Sequence, residues 1–215
     1  MSRVEGITGN NRAGVGDGSY VVLRRGKTGE LIVGDAHGEH YEACSRGNVF
    51  TAATATAGCA VGSLSIVSTC AHLVHNPLGS GVNLVMLQAS GWYVSGTLGA
   101  GLLLYTASSG VGAIAPTAGT AIVSRSALIS GGNSVAKGIA QTLSTSVASM
   151  VTLRPFCSLL AFAGAAIGST ILIKDQLNGE FVVPPGFCFG IHGITAAGTS
   201  PVMGFSFSWE EVPVS

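Results

Sequence analysis

Two short stretches hold the residue types from which catalytic or metal sites are built. His37-Gly38-Glu39-His40-Tyr41-Glu42 gathers two imidazoles and two carboxylates. A zinc-binding helix of the HExxH kind needs histidines at i and i+4 with a glutamate directly after the first. Here the histidines are i and i+3, a glycine follows the first, and Glu39 precedes the second, so the spacing predicts a polar turn after a strand. Cys70, His72 and His75 form the second stretch. A cysteine nucleophile needs a base, and the base needs a third group to orient it. No acid lies within 25 residues of His72 along the chain, and these residues read as turn residues ahead of Pro77. Gly96 to Gly101 has neither a dinucleotide fingerprint nor the Lys-Ser/Thr end of a phosphate loop, and no GxSxG elbow occurs. The ten acidic residues leave few pairs for carboxylate chemistry, and Glu210-Glu211 reads as a solvated strand end or an intersubunit contact. The five cysteines, Cys44, Cys59, Cys70, Cys157 and Cys188, include no CxxC pair, which argues against zinc and for free buried thiols in a reducing cytoplasm. The residues therefore predict no catalytic site, no metal, no cofactor and no enzyme.

The elements that position these groups follow from composition. Only 9% of the 215 residues are charged, against about 25% in an average soluble domain. Glycine accounts for 32 residues, while the apolar share is 47%, so small neutral residues have replaced charge. Twelve of the 20 charged residues fall in the first 50, and none lies between Thr51 and Ser124. Net charge is zero with no basic stripe, which argues against nucleic acid, whose phosphates need clustered Lys and Arg. An exposed helix carries a polar face, so the charge-free stretch is read as strands with a covered face. A monomer of this composition would be poorly soluble. The chain is therefore expected to be a homo-oligomer of closed symmetry, a trimer.

Residues 1 to 19 are Gly-rich and polar, with no apolar core of a secretory signal. Tyr20 to Arg24 and Leu31 to Val33 are short β-type runs about a Gly-containing turn. Residues 1–50 are thus expected to form an N-terminal arm with a short β-hairpin, and Tyr20, Val21, Val22, Leu23, Leu31, Ile32 and Val33 are its candidate assembly contacts. Residues 51–215 are expected to be the β-sandwich domain. Strands are read at Ala52 to Ala57, Ser63 to Cys70, Asn83 to Ser90, Trp92 to Val94, Leu102 to Ala107, Phe156 to Phe162, Ser169 to Lys174, Glu180 to Val183, Phe187 to Ile191 and Gly204 to Trp209. Phe205, Phe207 and Trp209 alternate with serines, the period of a strand with one aromatic face. Phe156 to Ile173 is about the length of a membrane helix, but its Gly, Ser and Thr content fits a strand, a loop and a second strand. Residues 108–150 read as a long irregular insertion, with weak helical spacing over Ala136 to Met150. The fold class is all-β, an antiparallel sandwich of jelly-roll type with an extended arm.

Three stretches taken together resemble a known group. They are Thr28-Gly29-Glu30-Leu31-Ile32-Val33 leading to His40-Tyr41-Glu42 and Arg46-Gly47-Asn48-Val49-Phe50; His75-Asn76-Pro77-Leu78-Gly79-Ser80-Gly81-Val82-Asn83-Leu84; and Asn178 to Gly186, ending in Phe207-Ser208-Trp209-Glu210-Glu211-Val212-Pro213. The chain resembles small structural proteins of tailed bacteriophages, cyanophages among them, that include capsid cement or decoration proteins. The resemblance carries no catalytic residues. It implies a virion protein at the capsid surface, made in the host bacterial cytoplasm, whose partners are further copies of itself and the major capsid protein, with no nucleic acid and no membrane. It implies that an oligomer, often a trimer, stabilises the head shell by bridging capsomers. The alternative is a tail or fibre receptor-binding protein with a jelly-roll head, for which Trp92-Tyr93 is the candidate surface. A β-sandwich carbohydrate-active enzyme is the third reading, and the shortage of acids argues against it.

Overall fold

The computed structural model describes residues 38–61, 69–97, 101–108, 119–129, 135–145, 150–159, 172–195 and 201–214. The chain divides into two compact units, Met1–Tyr41 and Glu42–Ser215. All the strands among the described residues belong to the second. One short helix, α1 (Tyr41–Ser45), precedes them.

The strands are β1 (Val49–Ala53), β2 (Cys59–Ala60), β3 (Thr69–His75), β4 (Val82–Ser95), β5 (Gly101–Ser108), β6 (Thr120–Ile122), β7 (Arg125–Ser126), β8 (Ile139–Thr145), β9 (Met150–Leu159), β10 (Leu172–Gln176), β11 (Val182–Val183), β12 (Cys188–Thr195) and β13 (Val202–Pro213). They form two antiparallel sheets. One runs β10-β4-β13-β1-β7, with β11 added on β4 and β2 on β13; the other runs β6-β8-β3-β12-β5-β9. The protein is an all-β sandwich, as the period-2 patterning predicts.

β13 is the spine of the first sheet because its alternation is the cleanest in the chain. Met203, Phe205, Phe207 and Trp209 are fully buried between the sheets, while Ser206, Ser208 and Glu210 face outward. From the second sheet, Val74, Leu103, Tyr105, Phe189 and Ile191 meet them. Phe189 packs on Phe207 at 5.3 Å and Tyr105 on Phe189 at 5.2 Å between ring centroids. Fully burying one such side chain stabilises the fold by about 1.5–3 kcal/mol. β4 is one strand of 14 residues where two had been read, since Ser90-Gly91-Trp92 continues the ladder with β13. A register shift at Ser208/Trp209 leaves Leu87 as the extra residue of a bulge.

Three sequence expectations change. β1 begins at Val49, inside the stretch assigned to the arm, and pairs with β13 from its first residue. Strands β6, β7 and β8 lie within 108–150, which had been read as irregular, and Ile139–Thr145 is a strand where helical spacing had been noted. β8 pairs with β3 and β6, and this pairing overrides a weak helical spacing that the Ser and Thr residues of the segment already oppose. The sequence places a turn at Asn178-Gly179 between two strands, and the turn lies there between β10 and β11 without reversing the chain. Both residues have positive φ, and Glu180 N–H donates to the Leu177 carbonyl, closing a tight turn. Yet β10 and β11 both run antiparallel to β4 on the same edge, so the turn is an excursion within one broken edge strand. It pushes Glu180 out of the sheet.

Phe156 to Ile173 begins in β9 and ends in β10, with 160–171 outside the described residues. Among the described residues no helix is long and apolar enough to cross a membrane.

Close approach of the chain fixes some glycines. A Cβ on Gly193 would lie 2.3 Å from Val61 Cγ1. The branched side chain of Val61 is stiff and fully buried. Gly193→Ala should therefore cost about 1–3 kcal/mol through overpacking, read as a lower urea midpoint. An unchanged midpoint would show that Val61 can yield.

Candidate functional site

Cys70, His72 and His75 are buried residues of strand β3, which corrects their reading as turn residues. His72 is fully buried and its ring stacks on Phe207 of the opposite sheet at 4.8 Å. Neither ring nitrogen has a hydrogen-bond partner of good geometry. Burial lowers its pKa from 6.5 to about 3, while the backbone carbonyl groups of Gln141 and Ala52 pull weakly the other way. A histidine is tolerated there because it is neutral at ordinary pH. His75 is buried at the end of β3, and burial lowers its pKa too. Asn76 follows it. Its Nδ2 donates to the carbonyls of Val82 and Val183, both at 2.8 Å, tying the turn after β3 to β11.

Folding does give Cys70 a histidine, but a different one. Its Sγ lies 3.5 Å from His192 Nδ1, on β12, and the Thr106 hydroxyl is 2.8 Å from the same nitrogen. All three side chains are buried. They sit on the face of the six-stranded sheet turned away from Phe189 and Ile191, where Cys70, Leu73, Met150 and Cys188 make a second, smaller core. Burial, and secondly the neighbouring Cys188, push the Cys70 thiol far above its ordinary range. A nucleophilic cysteine needs the opposite, a stabilised thiolate open to substrate. The trio therefore packs and orients rather than reacts. The cysteines are all free. Cys59, Cys70 and Cys188 are buried, and Cys59 is pushed up to about 12 by burial.

The acidic groups converge at a point that no local motif marks. Between residues 51 and 209 the only acids are Asp175 and Glu180, and both reach Arg154 of β9. Arg154 donates to Glu180 through Nε at 2.9 Å and Nη2 at 2.6 Å, and its Nη1 lies 3.0 Å from Asp175 Oδ2. The guanidinium lies over the Tyr105 ring, 5.0 Å from its centroid, and 5.6 Å from that of Phe181. The Tyr105 hydroxyl donates to Asp175 Oδ2 at 3.0 Å. Arg154 thus clamps an edge of one sheet to an edge of the other. It holds the Glu180 carboxyl below its usual range, so Glu180 holds no proton to give at neutral pH. Next to the clamp opens a groove of about 300 Å³, lined by Leu153, Glu180, Phe181, Val182, Phe187 and Phe189 among others. Its walls are apolar apart from Glu180. The one available sequence signal was the rarity of acids: in so neutral a segment, each charge needs a partner.

Glu211 also departs from expectation. It is buried, not solvated. Its Oε1 accepts hydrogen bonds from Lys137 N–H at 2.7 Å, Gly138 N–H at 2.9 Å and Trp209 Nε1–H at 3.3 Å. The carboxylate pins the segment before β8 onto β13.

His40 lies in the turn ahead of α1 beside Glu39, and His37 lies outside the described residues. Among the described residues no three His, Cys, Asp or Glu side chains converge as a metal site would need. The proposed assembly contacts Tyr20, Val21, Val22, Leu23, Leu31, Ile32 and Val33 lie outside the described residues. Trp92 is half-buried on the outer face of β4, and Tyr93 packs against the core.

The chain matches no protein-family model, no curated protein and no solved structure.

Proposed function

We propose that this protein is a structural component of a tailed-phage virion, a capsid cement or decoration protein that works as a homo-oligomer with a jelly-roll-like sandwich as its body. The observation that carries the reading is an apolar, charge-poor surface. Ile129 is 97% exposed, Val135 83%, Leu78 71% and Leu172 67%, in a chain with 9% charged residues. Single exposed apolar residues are ordinary. On a surface this short of charge they favour cover by further copies or by a shell. The chemistry supports the same reading: the buried Cys–His pair is inaccessible, Asp175 and Glu180 are both paired with Arg154, and Glu211 is buried under three N–H donors. In this proposal the major capsid protein is the second partner and the N-terminal arm supplies the anchoring contacts.

Two measurements test it. Sedimentation of the full chain should give a homo-oligomer, with a trimer as the expected species; a stable 21.5 kDa monomer at micromolar concentration would refute the oligomer. Peptide mass analysis of virions separated into heads and tails should find the chain in the heads. Recovery with the tails would favour the receptor-binding alternative, and recovery in neither fraction would overturn the virion reading.

A further inference from the structure

The outer face of the seven-stranded sheet has an arrangement that packing alone does not require. Trp92 on β4 is directly opposite Gly204 on β13. A Cβ on Gly204 would lie 2.1, 2.3 and 2.4 Å from Trp92 Cε2, Cζ2 and Nε1. These three nearly equal distances place the indole over the Gly204 backbone, lying on the sheet with one face covered. The ring is half-buried, so it also keeps solvent-facing area. Covering a strand glycine with an aromatic ring stabilises the pairing. That accounts for the covered face of the ring and leaves the other without a role.

The surroundings of that other face are specific. One step along the strands, Ser90 and Ser206 lie opposite each other with their hydroxyls 2.7 Å apart. Lys174 flanks Ser90 on the far side, exposed. Two residues further, Gln88 lies opposite Ser208. The face near Trp92 thus offers one flat aromatic surface beside the exposed Leu172, a ladder of hydroxyl and amide groups spaced about 7 Å apart along the strand and one ammonium, with the nearest outward carboxylate, Glu210, a step past Ser208. A charged partner would find almost no charge to match. A neutral hexose chain matches each feature. The C–H face of a pyranose packs on an indole. Its hydroxyls both donate and accept, as do serine and glutamine side chains, and successive sugars extend along a strand. We infer that this face binds a neutral glycan, with Trp92 as the stacking platform and Ser90, Ser206, Gln88 and Lys174 as hydrogen-bonding groups. The inference rests on the sheet face and not on the virion reading.

The two tryptophans make the test direct, since Trp209 is fully buried and Trp92 is not. The full chain is titrated separately with cellohexaose, maltohexaose and mannohexaose, following tryptophan emission. At least one sugar should give a saturable change. Trp92→Ala should weaken binding at least about tenfold, equivalent to about 1.4 kcal/mol, and Trp92→Phe should restore part of it. Trp209 emission reports whether each variant is folded. Should Trp92→Ala fail to fold, Lys174→Ala combined with Gln88→Ala takes its place, again with a loss of about tenfold expected. Three sugars without a saturable response would overturn the inference. So would affinity unchanged in these variants, or binding seen only with an anionic polysaccharide such as alginate and abolished by salt. None of these outcomes alters where the chain is found in a particle.

Discussion

Replacing Glu211 with alanine is expected to lower the unfolding free energy by about 3–5 kcal/mol, among the largest effects of any single polar substitution in the sandwich. Three donors, the backbone N–H groups of Lys137 and Gly138 and the indole N–H of Trp209, converge on one buried carboxylate oxygen. Alanine would leave all three without an acceptor in a place water reaches poorly, and each orphaned donor costs about 1–3 kcal/mol. Glu211→Gln keeps a carbonyl oxygen at the same position and loses only the charge-assisted part, so its cost should be near half. Urea unfolding at pH 7 reads both. Equal midpoints for wild type and Glu211→Ala would mean that the segment before β8 is held by other contacts.

Acid should destabilise the protein through His72. Its pKa is 6.5 in an ordinary setting and about 3 in the folded chain, because burial against Phe207 disfavours the imidazolium. Below pH 6.5 the unfolded chain takes up a proton that the folded chain refuses until about pH 3. Stability is thus fully present above pH 6.5 and falls as pH drops, by about 1.4 kcal/mol per unit. Roughly 3 kcal/mol should be gone at pH 4 from this group alone. His75, also depressed by burial, adds loss of the same sign. His72→Phe keeps a ring on Phe207 and removes both unpartnered nitrogens. Its stability should therefore change much less between pH 7 and pH 4. If the two proteins lose stability in parallel over that range, His72 is not the group that titrates.

The Arg154 clamp and the Asn178-Gly179 excursion belong together. The excursion exists because both turn residues take positive φ, which asparagine and glycine do at little cost. Its consequence is that Glu180 leaves its own sheet and reaches an arginine on the other. An edge left open between two sheets is a liability. Here Arg154, Asp175, Glu180 and Tyr105 close it with directed bonds, and β9 is further guarded by Pro155 and two register shifts against β5.

What the sequence by itself determined was the class of fold and most of its strands. Phe205, Phe207 and Trp209 alternate with serine, and that period allows one face to be buried and no helix to form. The run from Thr51 to Ser124, empty of charge, could not form an ordinary exposed helix, which carries a polar face. Alternating strands are legible because each residue reports its own side of the sheet. Tertiary structure alone decided the pairing. Cys70 was read with His72 because they are neighbours in the chain, yet a two-residue spacing says nothing of the strand that lies alongside, and His192 is the partner β12 delivers. Asn178-Gly179 announced a turn correctly, but only the pairing of β10 and β11 with the same edge of β4 shows that it does not reverse the chain. Glu211 reads as solvated from sequence because a carboxylate just past a strand usually is. It is buried because three donors from β13 and the segment before β8 meet at one oxygen, a coincidence in space that no local pattern encodes.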